Sequence, residues 1–317
     1  MGCFPSHNVV TPYTPNSSSS PELPSIGDSS PIKILILGAV NSGKSTVLHQ
    51  IRILQNKVLS AEEIEDKKTV IIQNMVSAVQ KLLEILEELG QTFGSTEAHV
   101  LLEQSLIYST YLLSDLSFLQ CSDRICRRDY LPTQEDILNC RQPTFGVTEY
   151  NFQLENCNLR VFDVGGARSK RWKWIHLFDN MQAIIFLADI SLFDKEAEDE
   201  DCQKPIQETI SLFHWVCERP IFKESSMILF QNKIDLFREK IALGISIKGA
   251  FPLYTDSDDC ESSLRFINER FVEGKQSVER PIFSHQTCAT DTNQMSLVLN
   301  DTIETVVRVN CAVSYIS

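Results

Sequence analysis

The stretch that decides the fold is residues 32–46, which read IKILILGAVNSGKST. Its first six residues are apolar apart from one lysine, a pattern typical of a strand that is buried on both faces. The remainder fits G-x-x-x-x-G-K-[ST], a loop whose backbone N–H groups wrap a phosphate at a helix N-terminus. In such loops the lysine reaches the outer phosphate oxygens and the serine binds Mg²⁺. The stretch therefore predicts an α/β nucleotide-binding domain but leaves the base open.

Hydrophobic periodicity divides the rest of the chain into helical and β/α parts. Helical spacing runs through 44–55 and 60–89, and Ser60 with Glu63 predicts a capping box at the start of the second helix. Strand patterns return in the second half of the chain. They cover 147–154, 159–163, 183–189, 227–231 and 285–288, with helical patterns near Lys173 and over 206–217, 261–272 and 295–309.

This order of patterns predicts one domain inserted inside another. We expect residues 32–56 and 140–317 to form a doubly wound α/β domain, and residues 57–139 to form an all-helical domain within it. Residues 1–31 are rich in serine and proline and offer little to bury, so we expect them to be disordered.

The first six residues, MGCFPS, fit the acylation pattern M-G-x-x-x-[ST]. The pattern predicts a myristoyl group on Gly2 and a palmitoyl group on Cys3. Two acyl chains suffice for stable membrane attachment, whereas a single chain does not. There is no basic cluster beside them, so attachment would depend on the lipids.

Composition excludes several classes of protein. The 317 residues include 29 Lys and Arg against 42 Asp and Glu, a net charge of −13, which argues against a nucleic-acid partner. No apolar run reaches the roughly 18 residues of a membrane-spanning helix, and no signal peptide is expected. The 10 cysteines include no C-x-x-C pair, which argues against zinc modules and disulfide scaffolds and favours reduced thiols.

Two further motifs indicate that the base is guanine. Residues 232–235, NKID, follow a strand, and the carboxylate of Asp235 can accept from guanine N1–H and its 2-amino group. Residues 287–290, TCAT, follow another strand and would place a backbone N–H on guanine O6. Adenine presents the wrong edge to this pair, which argues against a P-loop kinase or ATPase.

A fourth motif, DVGG at 163–166, follows a strand as well. Its Asp163 would hold Mg²⁺ through water, and Gly166 can offer a backbone N–H to a γ-phosphate. Each motif is modest alone, but four of them in this order, each at the end of an apolar strand, indicate a GTP-binding protein.

With these motifs the sequence resembles the heterotrimeric G-protein α subunits from about Ile32 onward. DVGGARSKRWKWIH at 163–176 is close to the switch II of that family, and TCATD at 287–291 to its guanine loop. YLPTQEDIL at 130–138, followed by Arg141, Thr144 and Gly146, resembles its linker and switch I. The resemblance implies a Ras-like P-loop GTPase domain carrying an inserted helical domain, here shorter than usual.

The resemblance also implies the roles of individual residues. Ser45 and Thr144 would bind Mg²⁺ directly and Asp163 through water, while Arg141 would be the arginine supplied in cis to the transferring phosphoryl group. Ser114 and Asp115 are candidate contacts from the helical domain. The residues expected around GTP or GDP are Asn41, Ser42, Gly43, Lys44, Ser45, Thr46, Leu138, Arg141, Thr144, Asp163, Gly166, Asn232, Lys233, Asp235, Cys288 and Ala289.

Three departures from the family pattern predict slow hydrolysis. Ala167 stands where the family has the glutamine that orients the attacking water, and a methyl group can neither donate nor accept. Val40 replaces a glycine beside the γ-phosphate, where we expect crowding and a strained backbone. Asn41 replaces a glutamate that would hold Arg141 by charge.

The resemblance implies partners and a place in the cell. They are a G-protein-coupled receptor, the βγ dimer, an effector and the cytoplasmic face of the plasma membrane. The family's N-terminal helix docks on βγ, and because serine and proline replace it here we expect weak or absent βγ binding. Two hypotheses remain: a signalling GTPase with slow turnover, and a GTP-bound regulatory module that binds effectors without turnover.

Overall fold

The computed structural model describes residues 31–55, 57, 59–88, 118, 120–144, 146–153, 157–165, 178–197, 202–273 and 281–314. Five predicted features lie outside these residues: the disordered and acylated N-terminus with Gly2 and Cys3, the pair Ser114 and Asp115, Gly166, Ala167, and the helix near Lys173.

A six-stranded sheet in the order β2-β3-β1-β4-β5-β6 forms the centre of the fold. Only β2 runs antiparallel, to its neighbour β3. Because β1 pairs with β3 on one side and β4 on the other, the chain order reverses at β1, and ligands of such sheets bind beyond the strand ends at that point. The strands are β1 Ile32–Gly38, β2 Val147–Gln153, β3 Asn158–Val164, β4 Ala183–Asp189, β5 Ser226–Asn232 and β6 Ile282–Thr287.

Eight α-helices are described, and 3₁₀ turns lie at Ile190–Asp194, Pro220–Phe222 and Ile247–Gly249. Three of the helices fall between α1 and β2, a region that has no strand among its described residues. The helices are α1 Lys44–Leu54, α2 Ala61–Glu88, α3 Ser122–Ile125, α4 Gln134–Asn139, α5 Pro205–Cys217, α6 Ile234–Ala242, α7 Cys260–Val272 and α8 Thr292–Ser314.

Alternate residues of the central strands supply two apolar cores, one on each face of the sheet. Leu35 packs with helices such as α5 on one face, while Ile34 and Ile36 pack with α1 and α8 on the other. A third, separate cluster of Ile71, Phe118, Ile125 and Tyr130 gives the described helical region a core of its own.

Most predicted elements in the described ranges are confirmed, but the short helices α3 and α4 were not predicted and α8 extends to Ser314 rather than 309. Helix α6 was missed, although Ile234, Phe237 and Ile241 are buried at helical spacing, because it begins directly after a motif that we interpreted as a loop. Strand β6 begins three residues before the predicted 285, and α8 three residues before the predicted 295. The capping box is confirmed: the Ser60 amide donates to Glu63 at 2.8 Å, and the Glu63 amide donates to the Ser60 hydroxyl at 3.2 Å. No helix within the described ranges is long and apolar enough to cross a membrane.

Candidate nucleotide-binding site

The loop between β1 and α1 is tight enough to require glycine at two positions. Gly38 ends β1, where an added Cβ would collide with the Leu187 carbonyl oxygen of β4. Gly43 has φ of 100°, and a Cβ there would collide with the amide of Asn232. The loop therefore lies directly against the ends of β4 and β5, which holds its backbone N–H groups at the switch point of the sheet.

The start of α1 forms an anion-binding end. Its N-cap, Gly43, has no side chain to satisfy the first N–H groups of the helix, which are the groups that bind phosphate in such loops. Lys44 is only 6% exposed, and its Nζ folds back to the carbonyl oxygens of Gly38 and Ala39 at 3.2 and 2.7 Å. The ammonium thus lies across the loop, where a phosphate can replace its two carbonyl partners.

Three oxygen-bearing side chains meet beside Lys44. The hydroxyls of Ser45 and Thr144 lie 3.0 Å apart, and Thr144 also bonds to Asp163. Asp163 is 1% exposed, and its Oδ1 has no hydrogen-bond partner. Burial raises the pKa of Asp163, while the nearby charge of Lys44 lowers it. Two hydroxyls and a carboxylate with an unpaired oxygen are hard donors of the kind Mg²⁺ takes, so these residues fit that ion.

Asn232 joins the phosphate loop to the TCAT loop, which the sequence predicts beside the base; these two loops and Asp235 are called the base end of the site. Its Nδ2 donates to the Ser42 carbonyl at 2.8 Å, which joins β5 to the phosphate loop. Its Oδ1 accepts from the Thr287 hydroxyl at 3.1 Å and from the Ala289 amide at 3.0 Å. Gln50 of α1 donates to the Ala289 carbonyl at 2.8 Å, so the TCAT loop is held from two sides. Asp235 lies exposed in the first turn of α6.

These loops enclose a cavity of about 310 Å³. Every described residue that the sequence predicts around the nucleotide lines it, except Asp163, which reaches the cavity through Thr144. The cavity wall also includes Val40, which the sequence places beside the γ-phosphate. Six further lining residues are not predicted contacts, although each is within two residues of one: Asn139, Cys140, Gln142, Pro143, Leu236 and Thr290.

The segment that carries Arg141 is fixed from two directions. Asn74 of α2 accepts from the Arg141 amide at 2.8 Å and donates to the Arg141 carbonyl at 3.1 Å. On the other side, the Asp136 carboxylate in α4 accepts from both terminal nitrogens of Arg124 at 2.7 Å and from the Tyr130 hydroxyl at 3.0 Å. Burial raises the pKa of Asp136, but the bonds from Arg124 and the Thr133 amide outweigh it and lower that pKa to about 2.

The structure corrects one expectation about the phosphate loop. We expected Val40 to strain the backbone, but the positive φ of 61° falls on Asn41 instead, and asparagine tolerates that region better than most residues. Val40 is 54% exposed and lines the cavity, so its branched side chain acts by occupying space.

Comparison with known proteins gives one consistent result. The family described as G-protein alpha subunit matches residues 16–112 and 102–306 of this chain. The guanine nucleotide-binding protein alpha-3 subunits of Caenorhabditis briggsae and Caenorhabditis elegans are 38% and 37% identical, each over 88% of this chain and 89% of the relative. The alpha-1 subunit of the fungus Mycosarcoma maydis is 35% identical over the same shares.

The match covers the α/β sheet, the phosphate loop and both guanine motifs. It agrees with the geometry of a cavity built from strand ends at the switch point of a parallel sheet. The chain therefore belongs to the G-protein α-subunit family, whose members bind guanine nucleotides, hydrolyse GTP and transduce signals.

Proposed function

We propose that this chain binds GTP and GDP with Mg²⁺ as a membrane-bound signal transducer, and that it hydrolyses GTP slowly. The observation that carries nucleotide binding is the phosphate end of the cavity. The Ser42 hydroxyl in the phosphate loop and Asp163 Oδ1 behind Thr144 are both buried without a hydrogen-bond partner. Buried polar atoms are seldom left unpaired, and a phosphate with its cation supplies the partners that these two lack.

Each group around the cavity has a role in holding the nucleotide. The N–H groups that begin α1 and the Lys44 ammonium bind the phosphates, and Asn232 and Asp235 border the base. Ser45 and Thr144 would ligate Mg²⁺ directly and Asp163 through water. The ion, when bound, neutralises charge that develops on the phosphate oxygens.

Slow hydrolysis follows because the chain lacks the side chain that positions water for attack on the γ-phosphate. Ala167 cannot hold a water in line for attack, while Arg141 remains to offset charge on the phosphoryl group. Val40, which lines the cavity, adds bulk there. Binding groups are thus kept while the water-positioning group is lost, which favours a long-lived GTP state.

Single-turnover hydrolysis tests this proposal. Purified protein is loaded with GTP, Mg²⁺ is added, and phosphate release is followed in the wild type, in Ala167→Gln and in the control Ala167→Asn, whose amide is one methylene shorter. We expect slow release in the wild type and Ala167→Asn, and at least about tenfold faster release in Ala167→Gln, since positioned groups contribute at least this much. A wild-type rate equal to that of an ordinary α subunit would contradict the proposal.

Alanine at position 167, in place of the family's glutamine, also favours a second function. With no measurable turnover, the chain would act as a GTP-bound regulatory module that occupies effectors without a timed off-switch. Tight GTP binding with no phosphate release over hours selects this function, and measurable release selects the slow GTPase.

The membrane and partner assignments extend the family assignment. They are acylation of Gly2 and Cys3, attachment to the cytoplasmic face of the plasma membrane, coupling to a G-protein-coupled receptor and an effector, and weak βγ binding. Membrane fractionation of Gly2→Ala and Cys3→Ser variants tests the acyl groups, because each variant should move the protein from the membrane to the soluble fraction. Tight, GDP-dependent capture of βγ would contradict the last assignment.

The domain boundaries are part of the same proposal. Residues 57–139 would form the helical domain and residues 32–56 with 140–317 the GTPase domain, and the separate apolar cluster around Ile71 and Phe118 supports this division. Limited proteolysis tests it, since cuts near both boundaries should release a helical fragment.

A further inference from the structure

A buried carboxylate outside the four motifs lies beside the base end of the cavity. Asp189 ends β4 and pairs in the sheet with Asn232 of β5. It is 2% exposed. Its Oδ1 accepts from the amide and the hydroxyl of Ser191 at 3.1 and 2.6 Å, and its Oδ2 accepts from the Lys233 ammonium at 2.7 Å. Both oxygens of Asp189 are therefore used, and Lys233 provides the balancing charge.

Lys233 forms the turn between β5 and α6, which sets the relative positions of Asn232 and Asp235. It is the residue between β5 and α6, and its φ of 64° is left-handed, a region that a lysine rarely adopts without support. The residue before it is Asn232 and the second residue after it is Asp235, both of which line the cavity. A change in this turn would shift these two side chains relative to one another.

We propose that Asp189 is a positioning residue for guanine recognition, which rests on the nucleotide-binding function proposed above. By holding the Lys233 ammonium, Asp189 fixes the left-handed turn that presents Asn232 and Asp235 to the base. It also keeps the charge of Lys233 turned toward β4, so that the rest of this side chain can serve as the cavity wall. A charge-assisted bond to a buried carboxylate is strong enough to hold such a turn.

The chain offers a matched control in a second buried ion pair nearby, between the 3₁₀ turn that follows β4 and α6. Lys240 of α6 donates to Asp194 at 2.6 Å and to the Ser191 carbonyl at 3.0 Å. Asp194 ends the 3₁₀ turn that begins directly after Asp189, but neither Asp194 nor Lys240 lines the cavity. Breaking this pair loosens the contact between the 3₁₀ turn and α6 without releasing Lys233.

The experiment measures release of a fluorescent GDP analogue from the full chain in the wild type, Asp189→Asn, Lys233→Met, the double variant and Asp194→Asn. We expect Asp189→Asn to release the analogue about tenfold faster, as loss of a charge-assisted bond implies. The double variant should release it no faster than the faster single variant, because both substitutions break one contact. Asp194→Asn should stay close to the wild type.

A competition with inosine diphosphate, which lacks the 2-amino group of guanine, measures base selectivity. Loss of stability alone would not change this selectivity. The preference for GDP over inosine diphosphate should fall in Asp189→Asn and stay unchanged in Asp194→Asn. The double variant leaves no unpaired buried charge, so it carries the test if Asp189→Asn does not fold.

Three results would overturn the inference: wild-type release and preference in the Asp189 variants, equal acceleration in Asp194→Asn, or strictly additive effects in the double variant. Failure of the wild type itself to retain the GDP analogue would instead overturn the proposed function.

Discussion

The pair of hydrogen bonds between Asn74 and the backbone of Arg141 allows a quantitative prediction. The Asn74→Ala variant removes both bonds, at 2.8 and 3.1 Å, and leaves one amide and one carbonyl of the arginine segment without this partner. At about 1 kcal/mol for each bond, the link between α2 and the arginine segment is worth about 2 kcal/mol. If all of that energy serves to orient Arg141 in the transition state, the hydrolysis rate falls by up to about 30-fold.

The assay is single-turnover hydrolysis in the Ala167→Gln background, where turnover is expected to be measurable. Gln73→Ala is the matched control, because Gln73 carries the same amide group on the next residue of α2 and is exposed. We expect a clear loss in Asn74→Ala, with GTP affinity nearly unchanged, and no loss in Gln73→Ala. Equal rates in the two variants would refute the idea that α2 positions the arginine.

Three further predictions follow from the site. Val40→Gly should raise hydrolysis in the Ala167→Gln background several-fold by relieving crowding, as measured by phosphate release; a lower rate would contradict the steric argument. Asp163→Asn should abolish the effect of Mg²⁺ on GTP retention, as measured by filter binding with and without EDTA; retained dependence on Mg²⁺ would contradict its role. The pKa of Asp136 is lowered from 3.8 to about 2, so its contribution of about 2 kcal/mol is present above pH 3.8 and is lost as the pH falls toward 2. Asp136→Asn should therefore be less stable at pH 7 in urea unfolding and lose less on acidification, and parallel pH profiles would contradict this.

The sequence predicts the sheet and the glycine loop between β1 and α1 well because their signals are local. A buried strand, a glycine loop and a helix follow one another within residues 32–54, and the glycines are required where backbones nearly touch. The capping box at Ser60 is equally local, since both of its bonds join residues three apart. Such features depend little on distant parts of the chain.

The contacts that orient the site are not predictable in this way because they join distant residues. Asn74 lies 67 residues from Arg141, and nothing in the pattern of α2 distinguishes it from a solvated polar residue. Asp189 ends a fully buried strand, and only the ladder that pairs β4 with β5 brings it to Lys233. The positive φ at Asn41 rather than Val40 likewise depends on how the whole loop packs against β4 and β5.

GTP binding and phosphate release should be followed together on one wild-type preparation with Mg²⁺. We expect tight binding, selective for GTP over ATP, with phosphate release far slower than in an α subunit that has the glutamine. Failure to bind GTP, equal competition by ATP, or rapid phosphate release from the wild type would contradict it.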